Sequence, residues 1–513
     1  MTSNFKTVII RGCSNPLFFV GMKFIGLRLD EHDSNVSYFD GSVVRYYNSE
    51  RDYQIKHHGF GDYNHWTNIL KKWNVNPSEI TAIAIVKDDN GVTDGFDGRL
   101  YKHIGIDLFK LLGFDCPIVQ IDHHYAHHLS TWTLGVNPTV GVVFDGFGDD
   151  YITHSIFRED KRILKHQVDK YISLGMLLAT IGQDIGMTGN KLDHAGKIMA
   201  MKAFGSPYST DKKYNLENYH SLWKKEWLGL SYKDKDEFKT ICDWVSEAHT
   251  VTEQVYVDHF LEHTTRDDII SYSGGIAQNT VINSAIREVR PALHIPPHCN
   301  DAGLSLGCIE FLRRFYDQEE FDRSEFPYWQ EDESPVDPPS DATIKHAAEL
   351  LARGKVVSWY QGHGEVGPRA LGNRSILMNP TLPNGKNKIN MVKRREKFRP
   401  FGASVLEEKA SEYFDFPHTS PYMLYVMNHL DTKSFPAVTH VDGTCRAQTV
   451  SKDQRTYYAL IEEFERLTGV PMLLNTSLNV AGKPICGTKA NALQVLCDTR
   501  IDTLVYGDEI ING

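Results

Sequence analysis

Short apolar runs separated by acidic, glycine-containing turns set the rhythm of this chain. Phe24 to Leu29 is strand-like, Asp30-Glu31-His32-Asp33-Ser34 is a polar turn, and Asn35 to Asp40 resumes as a second strand, which together spell a hairpin. The pattern returns about 115 residues later: Val140 to Phe144 reads as a strand, Asp145 to Asp150 as an acidic turn, and Tyr151 to Phe157 as the returning strand. Two copies of strand, acidic turn and strand predict an internally duplicated α/β domain with a cleft between its lobes, as in the actin-like ATPase folds.

Between the hairpins, Trp66 to Trp73 is amphipathic, Ala82 to Val86 and Pro117 to Ile121 read as buried strands, and Leu100 to Leu112 as a helix-like core run. Leu174 to Ile181 is apolar and is followed by a glycine-punctuated loop, Gly182 to Gly189. Residues 206–237, rich in Lys, Tyr, Asn and Trp, read as a peripheral insertion. Ile269 to Tyr272, Lys355 to Tyr360 and Pro471 to Leu474 are further strands, each running into a polar loop. The proline- and acid-rich run from Phe326 to Ala342 has linker composition. The division expected is therefore residues 1–330, a linker at 331–342, and residues 343–513.

A chain of 513 residues exceeds one hydrophobic core, in keeping with that division. The net charge of -11 argues against strong nucleic-acid binding, which a basic surface normally announces, but it leaves room for a local basic pocket. Eight scattered cysteines without a CxxC suggest neither a disulfide framework nor a zinc knuckle, and fit a reducing compartment. The apolar pieces between Met1 and Gly21 are too short and interrupted for a signal peptide, and no run approaches the ~20 apolar residues of a membrane span. A cytoplasmic protein with no membrane partner is expected.

The densest chemistry is Asp122-His123-His124-Tyr125-Ala126-His127-His128. If Asp122 caps a helix, imidazoles four residues apart share a face and converge on one ion. Spacing alone offers two pairs, His123/His127 and His124/His128, and does not choose between them. Two imidazoles need carboxylates from elsewhere, and the strand-end Asp145 is the nearest. Ser273-Gly274-Gly275-Ile276-Ala277-Gln278-Asn279 lies between a strand and a helix pattern, where backbone amides and a helix dipole favour phosphate. Asp301 stands at another helix start, where capping is its plainer role, and Lys197 is either a phosphate contact or a solvated lysine. Further on, Arg369, Lys393, Arg395 and Arg446 sit beside glycine turns and strand ends in an acidic protein, as an anionic substrate requires.

Taken together, His123-His124-Tyr125-Ala126-His127, SGGIAQN from Ser273, NDAGLSLG from Asn300, GPRALGNRSIL from Gly367, HVDGTCR from His440 and NTSLN from Asn475 resemble the O-carbamoyltransferases of the NodU/CmcH type, along nearly the whole chain. The resemblance implies an N-terminal actin-like domain (ASKHA, duplicated RNase H-like) related to tRNA threonylcarbamoyl transferase, then a C-terminal YrdC-like α/β domain. It implies that carbamoyl phosphate and ATP, with Mg(II), give carbamoyl adenylate, whose carbamoyl group passes to a hydroxyl of a small-molecule acceptor. It selects His123 and His127, with Asp145 and Asp301, as ligands of a divalent metal, Fe(II) first and Mn(II) or Zn(II) as substitutes. Lys197, Ser273, Gly274, Gly275 and Asn279 would contact nucleotide. Arg369, Lys393, Arg395, Arg446, Asn475 and Ser477 would contact carbamoyl phosphate, and His32 would serve as base for the acceptor. The resemblance also allows a homodimer. Leu478 and Gly402 depart from the family's usual Phe and Ala, which bears on pocket shape. Two other classes remain in view: a tRNA threonylcarbamoyl-transferase-like enzyme, and a non-catalytic actin-like nucleotide-binding protein that has no need of the second, basic pocket. A zinc peptidase lacks support, since no HExxH glutamate is present.

Overall fold

The computed structural model describes residues 21–87, 99–168, 173–207, 213–222 and 229–513. The apolar pieces before Gly21, and residues 208–212 and 223–228 of the expected insertion, lie outside this set.

Two sheets repeat one connectivity. In the first, β1 (Phe24–Arg28), β2 (Asn35–Phe39) and β3 (Val44–Asn48) form an antiparallel meander, and β4 (Ala82–Val86) joins β1 in parallel. Next to β4 lies β6 (Ile118–Ile121), again parallel, edged by the antiparallel β5 (Tyr101–His103). In the second sheet β7 (Val140–Phe144), β8 (Ile152–Arg158) and β9 (Lys161–Gln167) form the meander, and β10 (Ile270–Ser273) and β11 (Leu293–His294) add in parallel beside β7. The duplication expected from the two hairpins is thus present in strand order, β3-β2-β1-β4-β6 answering β9-β8-β7-β10-β11.

The run Leu100 to Leu112 departs from the expectation. It gives an edge strand and a short helix, Asp107–Leu111, because Gly105 interrupts it and Tyr101 packs against Phe311 as β5 pairs with β6. The region read as an insertion ends in a long helix, Lys235–His263, whose Ile241, Trp244, Val245 and Tyr256 complete the core of the second sheet. Between the two sheets lies the helix Leu304–Phe315, packed on β1 and on the helix His123–Ser130. Gly307 makes that approach feasible: a β-carbon there would stand 2.0 Å from the carbonyl oxygen of Ala126.

The remainder folds around a nine-stranded sheet comprising β12 (Val357–Tyr360), β13 (Arg374–Met378), β14 (Gly402–Leu406), β15 (Phe414–Asp415), β16 (Val426–His429), β17 (Thr444–Val450), β18 (Met472–Ser477), β19 (Thr503–Tyr506) and β20 (Glu509–Asn512). Strand alternation divides its faces. Val357 and Trp359 pack under the helices Asp341–Ala352 and Arg455–Thr468, while Val356 and Tyr360 pack with Ile389 and Val392 of Gly385–Lys393 and with Leu496 of Lys489–Asp498.

The segment with linker composition does not run free. Gln330 exchanges backbone hydrogen bonds with Gly364, Val336 does the same with Gly362, and Glu331 N donates to the carbonyl of Tyr46. Trp329 and Gln330 are buried. Its prolines limit regular structure, but its amides pair with both halves of the molecule.

Candidate functional site

Asp122 follows β6 directly and caps the histidine helix, its carboxylate accepting the Tyr125 amide at 2.8 Å. Arg162, from β9, clamps the same carboxylate. The cap fixes the helix rotation, and the two histidine pairs then point in different directions. His123 Nε2 and His127 Nε2 lie 3.1 and 3.2 Å from Asp145 Oδ2, and 3.6 and 3.3 Å from Asp301 Oδ1. The other pair turns away: His124 Nδ1 meets Ser155 Oγ at 2.8 Å, and His128 faces Asp160 at 3.4 Å while stacked on Phe157.

The four buried side chains His123, His127, Asp145 and Asp301 present ligand atoms within 4.8 Å of one another. Each carboxylate turns one oxygen to this centre and anchors the other. Asp145 Oδ1 accepts the amides of Gly146 and Gly275 at 2.7 and 3.0 Å, and Asp301 Oδ2 accepts from Arg28 at 3.1 Å. Such outer contacts orient ligands, and two imidazoles with two carboxylate oxygens suit a divalent transition ion. Burial opposes charge on His127, but Asp145 and Asp301 outweigh it and hold the imidazole above its ordinary pKa. Burial likewise opposes the Asp145 carboxylate, yet its bonds to His123 and His127 hold it well below the usual range. Asp301 heads a 3-10 turn and makes no side-chain cap, so its plainer role is not the one observed.

A cavity of about 590 Å³ is lined by Asn300 and Ala302, which flank Asp301, and by Asp33, with none of the four ligand residues themselves in its wall. Its wall also carries Arg369, Lys393, Arg395, Arg399 and Arg446. Lys393 Nζ lies against Ser477 O, Ser477 Oγ and Asn479 Oδ1, and Arg395 is held by Asn390 and by the Pro400 carbonyl over the Phe401 ring. Burial drives Lys393 far below its ordinary pKa, with Arg395 and Arg399 adding repulsion, and lowers Arg446, where Arg369 and Arg399 add theirs. Burial also brings Arg369 down to about 10. These cations lie close enough to repel one another, and Glu396 stands 3.7 Å from Arg399.

A family profile described as "Carbamoyltransferase C-terminus" matches residues 348–512. An uncharacterized protein of Methanocaldococcus jannaschii is 30% identical over 460 residues, 78% of this chain and 74% of that one. Nodulation protein NolNO of Sinorhizobium fredii is 37% identical over 283 residues. The chain belongs to the NodU-type carbamoyltransferase family. The match to NolNO covers 50% of this chain and 42% of NolNO, so the chain spans about half that relative's length. Among solved structures, full-length HypF in a phosphate- and nucleotide-bound form aligns with 59% of this chain and 56% of its own, with a TM-score of 0.33 and 14% identity.

Within this carbamoyltransferase-family chain, several residues expected at the ligands also bond within the protein. Ser273 Oγ donates to the His127 carbonyl at 3.0 Å, and Gly275 gives its amide to Asp145, so the Ser-Gly-Gly loop braces the ligand set. Asn279 caps the helix Thr280–Val289 and contacts His249 at 2.9 Å, because that helix begins after Asn279 and not at the glycines. Lys197 is drawn to Glu396 at 3.1 Å. Asn475 lies behind the cavity, its amide donating to the Ala370 carbonyl and supporting the loop that carries Arg369. His32 meets Asp33 at 3.1 Å, and that bond raises its pKa to about 9.

Four lining residues escaped the sequence reading. Arg399 lies in the basic run from Lys393 to Phe401 that also holds Arg395, and no spacing distinguishes it there. Lys56, His57 and Asp193 converge with Asp33, His57 lying 3.0 Å from Asp33 and 3.6 Å from Asp193. The partners are far apart in sequence, and the only local signal was the Lys-His-His-Gly turn after the first hairpin.

Proposed function

We propose that this chain is an ATP-dependent O-carbamoyltransferase that forms carbamoyl adenylate and passes its carbamoyl group to a hydroxyl. The observation that carries the proposal is one cavity lined by five cations and, through Asn300 and Ala302 on either side of Asp301, adjoining the His2Asp2 set. Arg369, Lys393, Arg395, Arg399 and Arg446 are more cations than one phosphate dianion needs, and suit carbamoyl phosphate together with the phosphates of ATP. Guanidinium forks bind such oxygens bidentately, and an arriving anion relieves the repulsion among the arginines. The C-terminal region, on this proposal, is a YrdC-like adenylating domain.

The step balances as carbamoyl phosphate, ATP and water giving carbamoyl adenylate, pyrophosphate and phosphate. The acceptor oxygen then attacks the carbamoyl carbon, AMP leaves, and the hydroxyl proton passes to a base. At the metal end His123, His127, Asp145 and Asp301 would hold a divalent cation, Fe(II) by donor type, which supplies Lewis acidity toward the leaving phosphate. Asp33 lines the cavity at that end, and its carboxylate is paired with His57 and with His32, the residue expected to serve as base. The acceptor is a small molecule bearing a hydroxyl: a sugar, a natural product or a hydroxymethyl nucleotide.

Incubation with ATP and carbamoyl phosphate should release pyrophosphate only when both are present. Metabolite pools incubated with enzyme, ATP and isotope-labelled carbamoyl phosphate should yield a labelled carbamate ester by mass spectrometry. Pyrophosphate release that needs bicarbonate and threonine instead would move the chain to threonylcarbamoylation.

A further inference from the structure

The loop that brings Arg369 into the cavity touches the loop that braces Asp145 and the loop that leads to Asp301. Arg369 Nη2 donates to the Gln278 carbonyl at 3.3 Å, in the loop whose Gly275 amide holds Asp145. Gly367 has φ +96°, and a β-carbon on it would stand 2.2 Å from the carbonyl oxygen of Pro297, in the loop leading to Asp301. From the opposite side Arg51, fully buried on the short helix Ser49–Tyr53 after the first hairpin, donates through Nη2 to the carbonyls of Glu365 at 3.0 Å and Gly367 at 2.7 Å. Glu365 draws the far side of the loop together, one carboxylate oxygen accepting the amides of Leu371, Asn373 and Arg374 at 2.8, 2.8 and 3.0 Å.

We propose that the turn from Gly364 to Arg369 mechanically links the anion end of the cavity to the metal end, and that Arg51 is the positioning residue that sets it. Arg51 lines neither end and touches no ligand atom. Its guanidinium fixes two consecutive bends of one loop, with Gly364 beneath it: a β-carbon there would stand 3.4 Å from Nη1. An anion that draws Arg369 inward pulls on Gly367 and Gln278, and through them on the supports of Asp301 and Asp145. Close packing transmits such a shift instead of absorbing it. This rests on the anion role given above to Arg369 and on the metal role of the His2Asp2 set.

Linkage makes the link measurable with simple probes, because an anion that changes metal affinity must have its own affinity changed by the same factor. Mn(II) affinity of the full-length protein is measured by electron paramagnetic resonance, with and without saturating inorganic phosphate, and phosphate affinity with and without Mn(II). In the wild type each probe should change the other's affinity by one shared factor, on the order of 5- to 10-fold. Arg51→Met, which keeps most of the bulk and removes the donors, should bring that factor to near 1 while each probe still binds alone. Arg51→Lys, which retains charge and one donor point, should recover part of it. Gly367→Ala, which forces the loop from Pro297, should weaken both probes together and serves if Arg51→Met does not fold. A factor in Arg51→Met equal to that of the wild type overturns the link. Absence of phosphate or of Mn(II) binding in the wild type would instead remove the anion or metal role beneath it.

Discussion

The two ends of the cavity are built on opposite electrostatic plans. At the metal end each charged group already faces an opposite partner, His123 and His127 against Asp145 and Asp301, with Arg28 behind Asp301. At the other end Arg369, Lys393, Arg395, Arg399 and Arg446 crowd one another, and burial with mutual repulsion lowers the pKa of Lys393, Arg395 and Arg446. The first plan preorganises a ligand set, and the second leaves an excess of positive charge, met in part by Glu396 at 3.7 Å from Arg399, that an anion offsets. A protein keeps such a cluster at a cost to stability, and function is the ordinary reason.

The widest separation expected from this contrast is between half-reactions. Arg369→Ala should lose carbamoyl-phosphate-dependent pyrophosphate release by ~100- to 1000-fold while still transferring from supplied carbamoyl adenylate, and His127→Ala should do the reverse. Equal loss of both steps in both variants, assayed by pyrophosphate release and by AMP release from carbamoyl adenylate, removes the division. Next in size is metal retention. His127→Ala should emerge without bound metal by elemental analysis and His124→Ala with it, whereas Arg28→Met should weaken metal affinity by roughly 10- to 100-fold through its hold on Asp301.

A third test addresses the crowded end. Arg446→Lys keeps charge and loses the fork, and should weaken carbamoyl phosphate binding by roughly 10- to 100-fold, the value of one charged hydrogen bond. Arg446→Met should match or exceed the wild-type Tm without ligand, since it removes repulsion, and should lose most of the Tm rise given by inorganic phosphate. A wild type saturated at a hundred times Kd gains about 2.7 kcal/mol, which sets the scale of that rise.

The smallest effect concerns His57. Burial opposes its charge, but Asp33 and Asp193 prevail and its pKa is pushed up to about 10, against an ordinary value near 6.5. A folded pKa above the unfolded one gives stability that is whole below about pH 6.5 and lost as pH rises toward 10. The Tm difference between wild type and His57→Asn should therefore be largest at pH 6 and shrink steadily to pH 10. A difference constant across that range would show that His57 acts by packing alone.

Much of this was legible because local patterns carry it. The strand, acidic turn and strand motif gave both meanders, and an aspartate before two apolar-spaced histidines gave the cap and the shared face. What stayed hidden depended on rotation and distance. The choice between His123/His127 and His124/His128 turns on where Asp145 and Asp301 arrive, 22 and 178 residues beyond His123, and periodicity holds no such information. Ser273 and Asn279 were given to nucleotide because glycine loops suit phosphate; hidden from the sequence was that they also brace the fold, Ser273 Oγ donating to the His127 carbonyl and Asn279 Oδ1 accepting the Val281 and Ile282 amides. Prolines and acids made Phe326 to Ala342 look like a tether, since composition reports missing regular structure and says nothing of amide pairing.

That strip also limits how the molecule can be divided. Glu333, within it, accepts from Tyr360 at 2.7 Å, from the Lys489 amide at 2.9 Å and from Tyr506 at 3.1 Å, so one carboxylate ties together three separate stretches of the C-terminal half. A fragment beginning at residue 343 severs all three ties and bares the backbone edge at Gly362 and Gly364. One beginning near Trp329 keeps them but leaves the first sheet without its Glu331 partner at Tyr46. No cut serves both halves, and recombining such halves among relatives would have to carry the strip and its two neighbours as one heritable block.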